Sequence, residues 1–186
     1  MTHFENMTAE HYLVDTESPI DNFSHCHIGL LHHFERLAEL LHQLKDAEAA
    51  SKIAQEALNY FHLGLHAHHQ EEEVELFPAV LKSALPGDEL KQVQSMVDRL
   101  TLDHQEMESA WKLLEPALKE IIKGHAPSVD HVHFQVLIKR YKVHARAEET
   151  LFLPLAEKIL GRNSNHMAAL GLSLHMRHLP HIPSYI

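Results

Sequence analysis

Apolar residues along this chain recur at steps of three and four in four long segments, the spacing of helices that each bury one face. The first segment runs from about Asp21 to Leu44 and carries Phe23, Leu30, Phe34, Leu37, Leu41 and Leu44 on one stripe. The second begins between Asp46 and Ser51 and carries Leu58, Phe61 and Leu65. It meets Pro78, where a helix is expected to kink or restart, because proline lacks an amide donor and crowds the preceding turn. Pro86-Gly87 separates it from the third, about Asp88 to Ile122, which uses Val93, Val97, Leu100, Met107, Trp111 and Leu114 and is ended by Gly124 and Pro127. The fourth starts near Ser128, carries Phe134, Leu137, Tyr141, Leu151, Leu155 and Ile159, and stops at Gly161. No stretch alternates with period two, so no strand is expected. Four helices of this length on short links predict an all-α, up-down-up-down four-helix bundle over residues 21–161. Residues 1–20 read as an N-terminal tail. Residues 162–186 read as a short extra helix, Ser164 to His178, docked through Leu170 and Leu174, followed by a tail.

Each apolar stripe is interrupted by polar residues in core register. His27 sits four after Phe23 and three before Leu30; the second stripe continues Phe61, Leu65, His68, Glu72; the third inserts His104 between Leu100 and Met107; the fourth runs Leu137, Tyr141, His144, Glu148, Leu151. Ionised glutamates and imidazoles in the middle of a bundle cost several kcal/mol each when unpaired. No Lys or Arg lies on these stripes at that level, and the compensation that suits four imidazoles plus two carboxylates is a cation. The pairs His68/Glu72 and His144/Glu148 are spaced i, i+4, so both members of each can converge on one centre. The pattern also repeats: His27 to His104 is 77 residues, while His68 to His144, Glu72 to Glu148 and Pro78 to Pro154 are each 76. Duplicated helical hairpins packed face to face would gather the six residues about a pseudo-twofold axis. That symmetry suits two metals, each with two imidazoles, bridged by two carboxylates.

Composition narrows the chemistry. With 26 acidic against 16 basic side chains and a formal charge of −10, the chain has no general electrostatic source of affinity for phosphate backbones, so nucleic acid and anionic membrane are not expected as partners. The 20 His would carry the charge from −10 to +10 if all were protonated, so solubility should depend on pH in the mildly acidic range. Cys26 is alone, which leaves no intrachain disulfide and no Cys-based zinc or iron–sulfur site. The opening residues lack an apolar leader core and no stretch reaches the length of a membrane span; a cytoplasmic protein of a reducing compartment is expected. There is no His-Glu-x-x-His zincin motif, no glycine-rich phosphate loop and no Gly-x-Ser-x-Gly elbow, and Glu-x-x-His occurs once, at Glu39 to His42. Nitrogen and oxygen ligands without thiolate point to iron first, manganese second and zinc third.

With CHIGLL around His27, HHQEEEVELFP, DHQEMESAW around His104 and HARAEETLFLPLA, the chain resembles the hemerythrin-like, HHE cation-binding family over roughly residues 20–160. The resemblance implies a four-helix bundle holding two iron ions with bridging oxo or hydroxo and carboxylate groups. It implies reversible binding of dioxygen or sensing of a similar small ligand, with a peroxide- or oxygen-consuming oxidoreductase and an iron-dependent regulatory or storage module as alternatives. His27, His68, His104 and His144 match the iron-binding imidazoles, and Glu72 and Glu148 the bridging carboxylates. Oxygen-carrying hemerythrins supply a further histidine one turn after the third-helix histidine; here that position is Glu108. Glu108 is included as a ligand, and its added negative charge should favour oxidised metal. The oligomeric state is left open.

Beyond these, His62, His66 and His69 form a second stripe on the second helix, rotated away from the core and ending at Glu73, expected in water with an adventitious metal site as the alternative; His32, His33, His131, His133, His166, His175, His178 and His181 are also expected in water. The acidic run is expected to divide between one ligand, Glu72, and a wet face made by Glu71, Glu73 and Glu75. Tyr141, one turn before His144, is expected in the core with its hydroxyl tied to a ligand.

Overall fold

A computed structural model describes residues 18–125, 127 and 131–178, apart from the side chains of residues 62, 63 and 176–178. Among the described residues every regular element is helical. Helix α1 (Pro19–Gln43) opens with proline at its first turn, where the missing N–H costs nothing, and with Asp21 near its positive end. It buries Phe23, His27, Leu30, Phe34, Leu37 and Leu40. Leu40 takes the fully buried place expected of Leu41, which with Leu44 packs partly buried at the edge of the core.

Helix α2 (47–83) is capped by Asp46, whose carboxylate accepts from the Ala49 N–H at 3.1 Å. It is continuous but not uniform. The α-helical stretch Ala47–Tyr60 passes into a π turn at Phe61–Leu65, an α turn at His66–Glu71, a second π turn at Glu72–Leu76 and an α stretch Phe77–Ser83. The expected break at Pro78 takes the form of that second π turn: the Phe77 N–H donates to the Glu72 carbonyl five residues back. The wider turn relieves the crowding that proline imposes on the carbonyl before it. Helix α4 (131–160) repeats the device, with His131–Ala147, a π turn at Glu148–Phe152 just ahead of Pro154, and Leu153–Leu160; there the Leu153 N–H donates to Glu148. The expected start near Ser128 lies outside the described residues.

Helix α3 (Asp88–Ile122) follows Gly87, whose φ of 109° suits glycine alone, and ends at Gly124, φ 81°, where the Gly124 and His125 N–H groups close on the Ile121 and Glu120 carbonyls. Helix α5 (Ser164–His178) docks as expected through buried Leu170 and Leu174 and packs against α1 and the second π turn of α2. The four long helices contact in ring order, α1 on α2, α2 on α3, α3 on α4 and α4 on α1. Arg162, just past α4, forms a two-pronged ion pair with Glu89 at the start of α3; that guanidinium, with the Leu85 N–H, holds the Glu89 carboxyl down to about 2. No helix among the described residues is long and apolar enough to cross a membrane.

Two apolar clusters fill the interior, one around Leu30, Phe34, Leu65, Met107, Trp111 and Tyr141, the other around Phe23, Leu76, Phe77, Leu100 and Phe152. Every long helix runs from one to the other and carries its polar core residues in between. On α4 one stripe residue turns to solvent. Leu151 is 60% exposed and Phe152 is fully buried in its place, because the extra residue of the π turn advances the register by one position. In the first cluster the rings of Phe61 and Trp111 stack at 3.8 Å and 4°. Trp111→Ala should destabilise the fold by about 3–5 kcal/mol, read as a lowered midpoint in urea unfolding followed by circular dichroism.

Candidate metal centre

Between the two clusters lie His27 from α1, His68 and Glu72 from α2, His104 from α3, and His144 and Glu148 from α4, all buried. His27 Nε2 is 2.8 Å and His144 Nε2 is 3.1 Å from Glu148 Oε2. The two oxygens of Glu72 divide, Oε1 lying 3.5 Å from His68 Nε2 and Oε2 lying 3.3 Å from His104 Nε2. His104 Nε2 and His144 Nε2 are 3.2 Å apart. These atoms form two groups, His27, His68, Glu72 and Glu148, and Glu72, His104, His144 and Glu148, each with its ligand atoms within 4.8 Å of one another. The two groups share both carboxylates.

The tautomers follow from the carboxylates outside the layer. His27 Nδ1–H donates to Glu149 Oε1 at 2.7 Å, and Ser24 donates to the other oxygen of Glu149 at 2.9 Å. His104 Nδ1–H donates to Glu73 Oε1 at 2.8 Å. Glu73 and Glu149 each follow a layer glutamate by one residue, so the arrangement obeys the internal repeat. A neutral imidazole that donates from Nδ1 turns the lone pair of Nε2 inward, here toward carboxylate oxygens and another imidazole nitrogen. Lone pairs facing lone pairs near 3 Å repel. His27 Nε2, both nitrogens of His68 and all four oxygens of Glu72 and Glu148 make no hydrogen bond, which a protein interior tolerates rarely. Ligand atoms about 2.1 Å from a cation at right angles would stand about 3.0 Å apart, within the 2.8 to 3.5 Å range of the facing atoms here. The residues present therefore fit a pair of cations.

Burial and close neighbours set the charge preferences within the layer. Burial, then the neighbouring charge of His27, holds His68 well below the usual imidazole range, and burial with His144 lowers His104. Burial opposes charging His27, yet Glu148 and Glu149 outweigh it and raise its pKa. Burial and the facing Glu148 push Glu72 well up; Glu148 is itself held well down, His144 and His27 prevailing over its burial.

The six residues in core register are thus brought together. Glu108 is not: its side chain is 30% exposed, and its Oε1 lies 3.3 Å from Nδ1 of exposed His66 and 3.9 Å from Nδ1 of His69, outside both groups. Glu73, expected on a wet face, is partly exposed but holds His104 in place. His69, expected in water, is 2% exposed and stacks on His104 with ring centroids 3.8 Å apart. The signal for it lies in the sequence as the four-residue step from buried Leu65 to His69. Of the other members of that stripe, His66 is exposed and the His62 side chain lies outside the described residues. His32, His131, His133, His166 and His175 are exposed as expected, His33 is half-buried against Tyr60, and the side chains of His178 and His181 lie outside the described residues. Tyr141 packs on Phe34 at 4.3 Å, but its hydroxyl makes no hydrogen bond, so it is not tied to a ligand.

Residues 18–156 match the family described as the hemerythrin HHE cation binding domain. The chain is also 27% identical over 158 residues to an uncharacterized protein of Haemophilus influenzae, covering 81% of this chain and 88% of that one. If Glu73 and Glu149 orient metal-binding imidazoles, Glu73→Ala and Glu149→Ala should each weaken metal binding by about ten- to hundredfold with helicity retained, as read by competition with a chromophoric chelator.

Proposed function

The chain belongs to the hemerythrin HHE cation-binding family, and from that premise we propose that it holds a non-haem di-iron centre that binds or senses dioxygen or another small diatomic ligand. The observation that carries this reading is the buried layer of imidazole and carboxylate atoms, mostly without hydrogen-bond partners, grouped about two points that share Glu72 and Glu148. In this reading His27 and His68 would hold one iron and His104 and His144 the other, with Glu72 and Glu148 offering carboxylate oxygens to both. When bound, the irons supply the reversible redox change and Lewis acidity that a diatomic ligand requires.

The chain's own residues do the remainder. Glu149 and Glu73 keep the Nδ1 protons of His27 and His104 outward, which leaves Nε2 free for metal. Leu30 and Met107 on one side, and Phe23, Phe77 and Phe152 on the other, exclude bulk water and favour a small, weakly hydrated ligand over a hydrated anion. The ring order of the helices and their short links support an up-down-up-down bundle as the frame. A single cysteine suits a reducing cytoplasm.

After iron-replete expression the full chain should carry about two irons, and the reduced protein should develop oxo-to-iron absorption on exposure to air that reverses when oxygen is removed. Protein with no iron, or iron whose spectrum ignores oxygen, would sink the reading. Continuous turnover of peroxide in place of stoichiometric, reversible uptake would make the centre an oxidoreductase. Glu72→Ala, lacking a bridge, should retain about one iron or fewer after dialysis.

A further inference from the structure

We propose that the Tyr141 hydroxyl is the hydrogen-bond donor to the small ligand taken up at the centre, on the side of His104 and His144; this rests on the di-metal reading above. One turn from the layer histidines, toward the first apolar cluster, each long helix places one buried residue. Leu30 lies three after His27, Leu65 three before His68, Met107 three after His104 and Tyr141 three before His144. Leucine and methionine have no donor, so Tyr141 brings the one side-chain donor to that ring. It is fully buried, and its hydroxyl has no hydrogen-bond partner. A buried hydroxyl that has given up water for nothing is rare unless something else satisfies it. The phenol ring is held by its stack on Phe34, and its centroid is 6.3 Å from that of His144. Burial, then the charges of Glu148 and Glu72, raise the phenol pKa and so keep its proton available to donate.

The internal repeat shows that this donor serves one half of the centre. At the 76-residue spacing that relates His68 to His144, Tyr141 corresponds to Leu65. Toward the second cluster, the residues one turn beyond the layer are Phe23, Leu76, Leu100 and Phe152, all apolar. The Trp111 indole N–H also lacks a partner, but Trp111 follows Met107 by a further turn and its ring is stacked on Phe61. A ligand lodged between the layer and the first cluster therefore meets one donor beside His144. In a dry site a hydrogen bond to a charged acceptor is about twice as strong as one between neutral groups. The hydroxyl thus favours ligands that carry negative charge or gain it on uptake.

Azide, a small and weakly hydrated anion that accepts hydrogen bonds, is the probe. The full chain, loaded with iron and oxidised in air, is titrated with azide and followed by azide-to-iron absorption, using wild type, Tyr141→Phe and Trp111→Phe. Tyr141→Phe removes one oxygen; it should keep the wild-type iron content but bind azide about ten- to hundredfold more weakly, while Trp111→Phe stays within about twofold of wild type. The infrared stretch of bound azide should shift in heavy water for wild type and stay unmoved for Tyr141→Phe. Equal azide affinity in wild type and Tyr141→Phe, an equal loss in Trp111→Phe, or a wild-type stretch indifferent to heavy water would overturn the role of Tyr141 and leave the di-metal reading standing. A wild-type chain that takes up no iron would instead overturn the di-metal reading and this inference with it.

Discussion

The structure depends on burying two glutamates and five imidazoles in one layer of an otherwise apolar interior. Such a layer is stable only if its members neutralise one another through something they share. Each long helix contributes to it and each crosses from one apolar cluster to the other at that level: Phe23, His27 and Leu30 on α1; Leu65, the His68 to Glu72 segment and Leu76 on α2; Leu100, His104 and Met107 on α3; Tyr141, His144, Glu148 and Phe152 on α4. The clusters hold the helices in register, and the register sets the distances in the layer.

The π turns reconcile two demands on α2 and α4. Each helix must present a histidine and a glutamate one turn apart, and each must also pass a proline six residues after that glutamate. A turn closed by a five-residue hydrogen bond, begun at Glu72 and at Glu148, meets both demands, since it keeps the carboxylate in the layer and widens the backbone before Pro78 and Pro154. The following residue of each pair, Glu73 or Glu149, then reaches a histidine on another helix. One local irregularity thus positions both an inner and an outer carboxylate.

Legibility in the sequence follows the same division. On α1 and α3, which keep regular α geometry, steps of three and four lead directly to Phe23, His27 and Leu30 and to Leu100, His104 and Met107. On α4 a period of 3.6 slips where the π turn adds a residue, which is why Leu151 reads as core when Phe152 occupies the core; His69 lies in the α-helical stretch His66–Glu71, and its burial against His104 follows from the regular four-residue step after Leu65. Nothing in the helix propensity of FHLGL or EETLF announces the wider turn; the prolines mark two of the three positions. Glu108 is one turn from His104 along α3, but helical spacing alone does not say which of two adjacent faces turns inward, and here it turns toward His66 and the surface.

Glu73 and Glu149 have a further consequence. Each carboxylate has one side against a buried imidazole and its side chain is more than a third exposed, 39% and 37% respectively. They are terminals: electrical contacts through which an otherwise insulated interior meets the solution. Salt screens a contact of this kind, and a positively charged surface pressed against either glutamate would draw its electron density outward and loosen the imidazole behind it. The layer can be sealed from water and still be within reach of whatever touches the protein at those two places.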